Sequence, residues 1–226
     1  MSINFPNTLC SIGQNAFRWS GISGNIVLPE GLTQIETAAF YSCSNISSMV
    51  LPSTLKIIGN AAFDTCKNMT QINLPYGLES IGAKAFRNCR LLTSVVIPDT
   101  VTTVGEAAYN YCDNLISVTL SASMQTIPVL MFLDCWKLKT VVIPDGITTI
   151  GSNAFDGIGA MKSITIPSSV VLIEKEAFRD SYELETIYFN GTEEQWESIV
   201  KEEKWDWELG YNADDNSHTY KVIFLT

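Results

Sequence analysis

The chain has 226 residues, of which 46% are hydrophobic and 17% are charged, a balance that suits a folded core and excludes a disordered chain. Its 14 basic and 24 acidic residues give a net charge of −10, which argues against nucleic acid or an anionic membrane surface as the main partner. No apolar run approaches the length of about 18 residues that a membrane helix needs, and no signal peptide opens the sequence, so membrane insertion is not expected.

A period of 23 residues organises the chain from Pro6 to Phe189. Ser121 begins one of the eight units, and proline begins the others, at Pro6, Pro29, Pro52, Pro75, Pro98, Pro144 and Pro167. A fixed period of this kind is typical of a solenoid, because one short unit cannot bury its apolar residues until other units stack on it. We therefore predict eight stacked coils within residues 1–189, followed by a capping segment over residues 190–226.

Within each unit the apolar positions recur in a fixed order. Leu or a similar residue stands three positions after the proline and Ile or Val six positions after it, as at Leu78 and Ile81. An Ala-Phe pair follows, as at Ala85 and Phe86, and alternating apolar residues close the unit. The alternation has the period of a strand, and proline ends the strand because it has no N–H to donate. The predicted fold class is α/β, with short parallel strands and one helical turn per coil that carries the Ala-Phe pair.

Glycine recurs directly after the second apolar position of the unit, at Gly13, Gly59, Gly82, Gly105 and Gly151. Pro128 occupies the same position in the sixth unit, and proline holds φ near about −65°. If all coils share one backbone path, φ is negative at this position. We therefore predict that these glycines allow close packing between coils and do not form left-handed turns.

These columns resemble the BspA-like leucine-rich repeat family, whose units read approximately Leu-Pro-x-x-Leu-x-x-Ile-Gly-x-x-Ala-Phe-x-x-Cys. The stretch from Leu74 to Cys89 follows that pattern throughout, and the segment from Asn190 to Trp196 is similar to one that often ends such arrays. The resemblance implies a leucine-rich repeat solenoid with a C-terminal cap that contains a helix. Family members are mostly surface or secreted proteins associated with adhesion and protein recognition. The resemblance therefore also implies an extracellular or cell-surface location.

Five cysteines share one column of the repeat, at Cys43, Cys66, Cys89, Cys112 and Cys135. Ligands stacked in a row do not enclose a tetrahedral zinc ion, and parallel Cβ vectors oppose the dihedral angle that a disulfide requires. We predict a ladder of buried thiols that pack as small hydrophobic groups. Cys10 lies in a different, polar column and is predicted to be the most exposed thiol.

The sequence predicts no catalytic site, no metal site and no cofactor. Its one histidine, His218, has no evident nucleophile paired with it and is expected to be a surface residue. The acidic run Asp214-Asp215-Asn216 lacks the spaced carboxylates of a calcium loop and is expected to be a solvated turn.

One candidate binding surface is an outward column on the closing strands. It is uncharged and includes Val96, Thr119, Val142 and Thr165. Strand propensity alone accounts for such residues, and so does a flat docking face for a protein or a glycan. Both interpretations stay open at this point.

The second candidate surface lies in the sixth unit, which departs most from the repeat. Met131 replaces the alanine of the Ala-Phe pair. Apolar and aromatic residues stand where other units are mainly polar, at Leu130, Leu133 and Trp136, and Tyr111 of the preceding unit is expected to complete the cluster. Such a cluster is either an exposed contact site or a local repacking around Met131.

The C-terminal segment is predicted to cover the last coil. Thr192 and Gln195 form a capping-box pattern, and Trp196, Ile199 and Val200 form the apolar face of a helix that ends near residue 204. Two further tryptophans, at positions 205 and 207, and a strand-like stretch over residues 220–225 are expected to complete this cover.

The N-terminal end is predicted to be uncapped. Ile3 and Phe5 have the pattern of a strand end whose own coil is missing. Because terminal repeats normally need capping, an open first coil indicates either a fragment of a larger protein or an end that pairs with another copy. End-to-end self-association is therefore one expectation.

These observations together predict a non-catalytic recognition module. Its expected role is protein–protein interaction or adhesion at a cell surface, with a protein or a glycan as partner. The alternative is a structural spacer within a larger surface protein, without a ligand of its own.

Overall fold

The computed structural model describes residues 3–207, 209–212, 217–218 and 220–225. Short strands recur twice in most coils. In chain order the strands of the repeats are β1 (Ser11–Ile12), β2 (Gly24–Val27), β3 (Gln34–Ile35), β4 (Ile46–Val50), β5 (Ile57–Ile58), β6 (Gln71–Asn73), β7 (Ser80–Ile81), β8 (Ser94–Val96), β9 (Thr103–Val104), β10 (Ser117–Thr119), β11 (Thr126–Ile127), β12 (Thr140–Val142), β13 (Thr149–Ile150), β14 (Ser163–Pro167), β15 (Leu172–Ile173) and β16 (Thr186–Asn190). The C-terminal segment adds α1 (Glu193–Ser198), β17 (Val200–Lys201), β18 (Tyr211–Asn212), β19 (Ser217–His218) and β20 (Lys221–Phe224).

The strands of the repeats form two lines of parallel pairs. One line consists of the sheet β1-β3-β5-β7-β9 and the sheet β11-β13-β15-β17. The other consists of β2-β4-β6, β8-β10-β12 and β14-β16-β20. Paired strands of the repeats are one unit apart, as where Ser117 pairs with Ser94 on one side and with Thr140 on the other. The predicted leucine-rich repeat solenoid of stacked parallel coils is therefore confirmed.

The third side of each coil is a run of tight turns, so the predicted helical turn at the Ala-Phe pair is wrong. In the second coil, Ala39 and Tyr41 donate their N–H groups to carbonyls of their own coil. The N–H groups of Ala38, Phe40 and Ser42 donate to carbonyls of the next coil. A helix would direct each N–H within its own coil and would leave none to join the coils on this side.

This alternation places two residues per coil in the left-handed region, with φ between 52° and 71°. The first column of such residues is Asn15, Ala38, Ala61, Lys84, Ala107, Leu130, Asn153 and Glu176. The second is Trp19, Ser42, Thr65, Asn88, Tyr111, Asp134, Gly157 and Asp180. Since nearly all of these residues have side chains, glycine spacing in the sequence does not reveal the turns.

A file of aromatic rings runs through the core. Neighbouring rings lie 5.2 to 6.2 Å apart between centroids, with interplanar angles of 7° to 21°. The file comprises Phe17, Phe40, Phe63, Phe86, Tyr109, Phe132, Phe155 and Phe178. Phe5 meets the first ring edge-on and Trp205 meets the last ring edge-on. The stacking predicted from the 23-residue period is confirmed by this file.

The glycine column has negative φ and close packing, as predicted. A Cβ added at Gly59 would lie 2.7 Å from the backbone carbon of Glu36 and 2.7 Å from the nitrogen of Thr37 in the preceding coil. A Cβ added at Gly151 would likewise lie 2.7 Å from the carbonyl oxygen of Ile127 and 2.7 Å from the nitrogen of Val129. Gly13 lies in the first coil, and a Cβ there would meet no atom within 4 Å.

The C-terminal segment forms an irregular further coil, and the predicted extent of its helix is wrong. α1 has the expected capping box at Thr192 and Gln195, but it ends at Ser198 and not near residue 204. Val200 is exposed and lies in β17, which pairs with β15. Pairing with the exposed edge of β15 satisfies backbone groups that a longer helix would leave open, so the edge decides where the helix stops.

The other parts of the cap also bond to the last coil. β20 pairs in parallel with β16, and Phe178 donates its N–H to the carbonyl of Trp205. Trp196 and Trp205 are both buried against each other. At the N-terminal end, residues 3–5 form no strand, which corrects the prediction for Ile3 and Phe5.

Substitution of Gly59 by alanine is expected to destabilise the fold by about 1 to 3 kcal/mol, because the new methyl group would overlap backbone atoms of the preceding coil. The matched control is Gly13→Ala, where the methyl group has open space and the change should stay within about 0.5 kcal/mol. Urea unfolding followed by circular dichroism measures both. Equal unfolding midpoints for the two variants would contradict close packing as the role of this column.

Candidate interaction surfaces

The first candidate surface lies on the longer strands, where three of its four residues are neighbours. Thr119 in β10 pairs with Val96 in β8 and with Val142 in β12. The two valines are exposed and the threonine is partly exposed. Thr165 is exposed as well, but it lies in β14, whose sheet partner at this position is Tyr188. The structure therefore gives a short row of three residues with the fourth in the next sheet.

The second candidate surface lies on the turn side of the fifth and sixth coils. Tyr111 and Trp136 are 39% and 52% exposed, whereas Leu130 and Leu133 are partly buried. Tyr111 donates its N–H to the carbonyl of Leu133, so the two coils are in direct contact here. The part of this surface that a partner can reach is therefore aromatic more than aliphatic.

The core beneath this surface is irregular. Met131 is fully buried where the neighbouring coils have Ala108 and Ala154. The ring centroids of Tyr109 and Phe132 lie 6.2 Å apart, against 5.2 Å for Phe86 and Tyr109. The hydroxyl of Tyr109 is buried without a hydrogen-bond partner among the described residues, and burial raises the pKa of this phenol. The departures of the sixth unit thus extend from the core to the surface.

Two glycines of the seventh coil lie next to the second candidate surface, and the sequence pattern did not identify them as part of it. A Cβ at Gly157 would lie 2.6 Å from Oδ1 of Asp134. A Cβ at Gly159 would lie 3.4 Å from Cε3 of Trp136. The side chains of Asp134 and Trp136 therefore both extend over the seventh coil, in space that larger residues would fill. The signal in the sequence was the run Gly157-Ile158-Gly159, which interrupts the polar pattern of that segment.

Two buried carboxylates lie on the turn side. Asp64 is buried and pairs with Arg87 of the next coil, at 2.8 Å between Oδ2 and Nη2. Asp156 is also buried, and its Oδ2 accepts a hydrogen bond from Asn153 Nδ2 at 2.8 Å. Burial raises the pKa of Asp156 to about 6, although Asn153 and Arg179 act in the opposite direction.

Asp134 has no ion pair among the described residues. Burial raises its pKa, and the nearby charges of Asp113 and Asp180 raise it further. Those two neighbours each have a cation of their own, with Arg90 at 3.7 Å from Asp113 and Arg179 at 3.5 Å from Asp180. Of Asp113, Asp134 and Asp180, Asp134 is thus the one without an ion pair within the described chain.

The predicted thiol ladder is confirmed by the burial of all five cysteines in the column. Each thiol also donates to the carbonyl oxygen of the aromatic residue in the preceding coil, at 2.9 to 3.3 Å. Ser181 makes the same bond to Phe155 at 2.7 Å. The column is therefore a hydrogen-bonded ladder as well as an apolar one. Cys10 is exposed, as predicted.

The remaining sequence-predicted features are only partly covered by the structure. Asp214, Asp215 and Asn216 lie outside the described residues. His218 lies in β19, but its side chain is also outside the described part. Among the residues that are described, no three His, Cys, Asp or Glu side chains form a group that could hold a metal ion, and no helix is long and apolar enough to cross a membrane.

The family model for the BspA type leucine rich repeat region matches residues 1–116 and 102–200, with six copies of the repeat. No curated protein matches the sequence.

Several solved structures are similar in fold. A leucine-rich repeat protein from Bacteroides ovatus ATCC 8483 is 28% identical with a TM-score of 0.69, over 95% of this chain and 58% of that one. A leucine rich cell surface protein from Faecalibacterium prausnitzii A2-165 is 27% identical with a TM-score of 0.61, over 86% of this chain and 61% of that one. The T. pallidum leucine rich repeat protein is 26% identical with a TM-score of 0.63, over 67% and 71%. The chain thus spans about three fifths of the length of the first two proteins.

Alkylation of the folded protein with iodoacetamide is expected to modify Cys10 and to spare Cys89. The thiolate is the reactive form, and burial raises the pKa of Cys89 well above its ordinary value. Peptide mass spectrometry identifies the modified residue. The Cys10→Ser variant should lose the labelling of the native state, and denaturation in urea should expose the other five thiols. Modification of Cys89 before Cys10 would show that the assigned orientation of the coils is wrong.

Substitution of Asp156 by asparagine is expected to stabilise the protein at pH 7 by about 2 kcal/mol and to have little effect at pH 4. The pKa of Asp156 is raised to about 6 in the folded state, so its neutral form favours folding below pH 4 and this contribution is lost as the pH rises through 6. Asparagine does not ionise, and it keeps an oxygen for Asn153. Urea unfolding at both pH values measures the difference. Asp145→Asn, which removes one negative charge at an exposed site, is the control, and it should change the unfolding midpoint little.

Proposed function

The chain belongs to the BspA-type leucine-rich repeat family, and we propose that it is a non-catalytic recognition module that binds a protein partner at a cell surface. Residues 1–189 are the recognition solenoid in this proposal, and residues 190–226 are its cap. The exposed edge around Tyr111 and Trp136 is the binding surface.

The exposure of these two aromatic side chains carries the proposal. Trp136 is about half exposed and Tyr111 more than a third, on coils whose core positions are filled. Tryptophan and tyrosine are enriched at the centres of protein interfaces, because each contributes a large contact area with few rotatable bonds. Since the coils that carry these side chains are joined by backbone hydrogen bonds, little backbone entropy is lost when a partner binds.

The proposed location rests on the relatives. The similar protein from Faecalibacterium prausnitzii is described as a cell surface protein, and the present chain is 27% identical to it. A surface location makes another protein or a glycan available as a partner. The net charge of −10 disfavours polyanionic glycans and favours a protein with a basic surface.

The chemistry of the described residues supports a non-catalytic role. Five thiols are buried with their pKa values raised, so they are poor nucleophiles at neutral pH. Cys10, the exposed one, donates to the carbonyl of Thr8, and no basic residue among those described forms a hydrogen bond with it.

The test is a capture assay with immobilised protein and extracts of bacterial and host-cell surfaces. The variant Tyr111→Ser/Trp136→Ser should lose at least about tenfold of its binding to the captured partner, since hot-spot truncations cost 2 kcal/mol or more. Both residues are exposed, so the melting temperature should change little. Leu133 is left intact because it is partly buried.

The strand surface is tested in the same assay with Thr119→Lys/Val142→Lys. The matched control is Val27→Lys/Val50→Lys, which places two lysines on the same side of the early coils. Loss of binding only in the strand variant would move the binding surface to β10 and β12. Capture that none of the variants changes would contradict recognition through either surface. Absence of any captured partner would favour a structural spacer.

A further inference from the structure

Among the described residues, two of the three exposed tryptophans have a basic side chain of the same chain stacked on the indole ring. The guanidinium carbon of Arg18 lies 4.2 Å from the ring centroid of Trp19, which is 68% exposed. The ammonium of Lys204 lies 3.8 Å from the ring centroid of Trp207, and Arg179 lies 5.6 Å from it. These distances are typical of cation–π interactions. At both sites a basic side chain of the protein occupies the indole face.

Trp136 is the exception among these three exposed rings. Within the described part of the chain, no Lys or Arg lies over its indole. The adjacent Lys137 is directed elsewhere, because its Nζ donates to Oδ1 of Asn114 in the preceding coil at 2.7 Å. The indole of Trp136 is about half exposed, so it can accept a cation from outside.

An acidic group accompanies this ring. The side chains of Asp134 and Trp136 both extend over the glycines of the seventh coil, at Gly157 and Gly159. Asp134 has no ion pair in the described chain. A cation placed between the ring and this carboxylate would therefore meet both an aromatic face and an unpaired negative charge.

We propose that Trp136 and Asp134 together bind an arginine side chain of a basic segment in the partner protein, an inference that rests on the proposed function. A guanidinium is planar, so it can stack on the indole while its N–H groups point sideways toward the carboxylate. A lysine ammonium cannot do both as well, because it is a compact, strongly hydrated charge. The net charge of −10 attracts such a segment from a distance.

The test measures the binding of fluorescein-labelled peptides by fluorescence anisotropy. The probes are peptides of alternating glycine with arginine, with lysine or with serine. The arginine peptide should bind most tightly and the serine peptide should not bind. Trp136→Ala should weaken arginine-peptide binding by about tenfold, in the range of a desolvated cation–π pair, and Trp136→Phe should restore part of it.

Matched controls separate the site from general attraction to an acidic protein. Trp19→Ala removes an exposed indole that Arg18 already covers, and it should leave peptide affinity unchanged. Asp134→Asn and Asp145→Asn each remove one negative charge. Asp134→Asn should weaken binding of the arginine peptide by more than about twofold, whereas the loss in Asp145→Asn should stay below about twofold. Melting temperatures of all variants show whether each one is folded.

Equal affinity of Trp136→Ala and the unchanged protein for the arginine peptide would overturn the inference, and so would equal losses in the two aspartate variants. If cellohexaose or chitohexaose bound in a Trp136-dependent way while the arginine peptide did not, the ring would be a sugar platform and the inference would be wrong. The capture assay and the peptide assay distinguish failure of the proposed function from failure of the arginine site. Loss of partner capture in Tyr111→Ser/Trp136→Ser, without discrimination in the peptide assay, would leave recognition standing and remove only arginine as the ligand.

Discussion

The in-register hydrogen bonding of each coil to the next is the constraint on which the rest of the structure depends. On two sides it is the ordinary parallel ladder. On the third side it requires alternate N–H groups to leave their own coil, which two left-handed residues per coil make possible. A left-handed conformation costs a non-glycine residue about 1 kcal/mol. The stacking of buried side chains and the bonds between coils together offset that cost, since neither would form without the other.

Once the backbones stack in register, side chains at the same position of successive coils have similar neighbours. The aromatic file, the thiol ladder and the glycine column follow from this rule. Ser181 illustrates it well, because a hydroxyl makes the bond that thiols make in other coils. A residue that differs from its column must be accommodated locally, as at Tyr109 and Met131, where the ring spacing widens.

Recognition in such a scaffold depends on departures from the repeat. Regular columns give the strand side a uniform, uncharged surface around Thr119. The turn side is different, because Trp136 and Asp134 extend over the two glycines of the seventh coil. The sixth coil thus carries both an exposed indole and a carboxylate that has no ion pair within the described chain, and it is the coil that follows the sequence period least strictly.

The sequence alone determined the solenoid, its period, the buried columns, the close packing of the glycines and the cover over the last coil. The period and the buried columns are repeated eight times, so the pattern of the residues carries them redundantly, whereas the cover is indicated once, by the capping box at Thr192 and Gln195 and the tryptophans that follow. The sequence indicated two candidate surfaces and left open whether the second is exposed or repacked around Met131; in the structure Leu130 and Leu133 are partly buried while Trp136 is exposed. It also failed on the helical turns and on the length of α1. Only the tertiary structure decided these, because the conformation of a turn or a helix end depends on which backbone groups of the neighbouring coil are left to be satisfied.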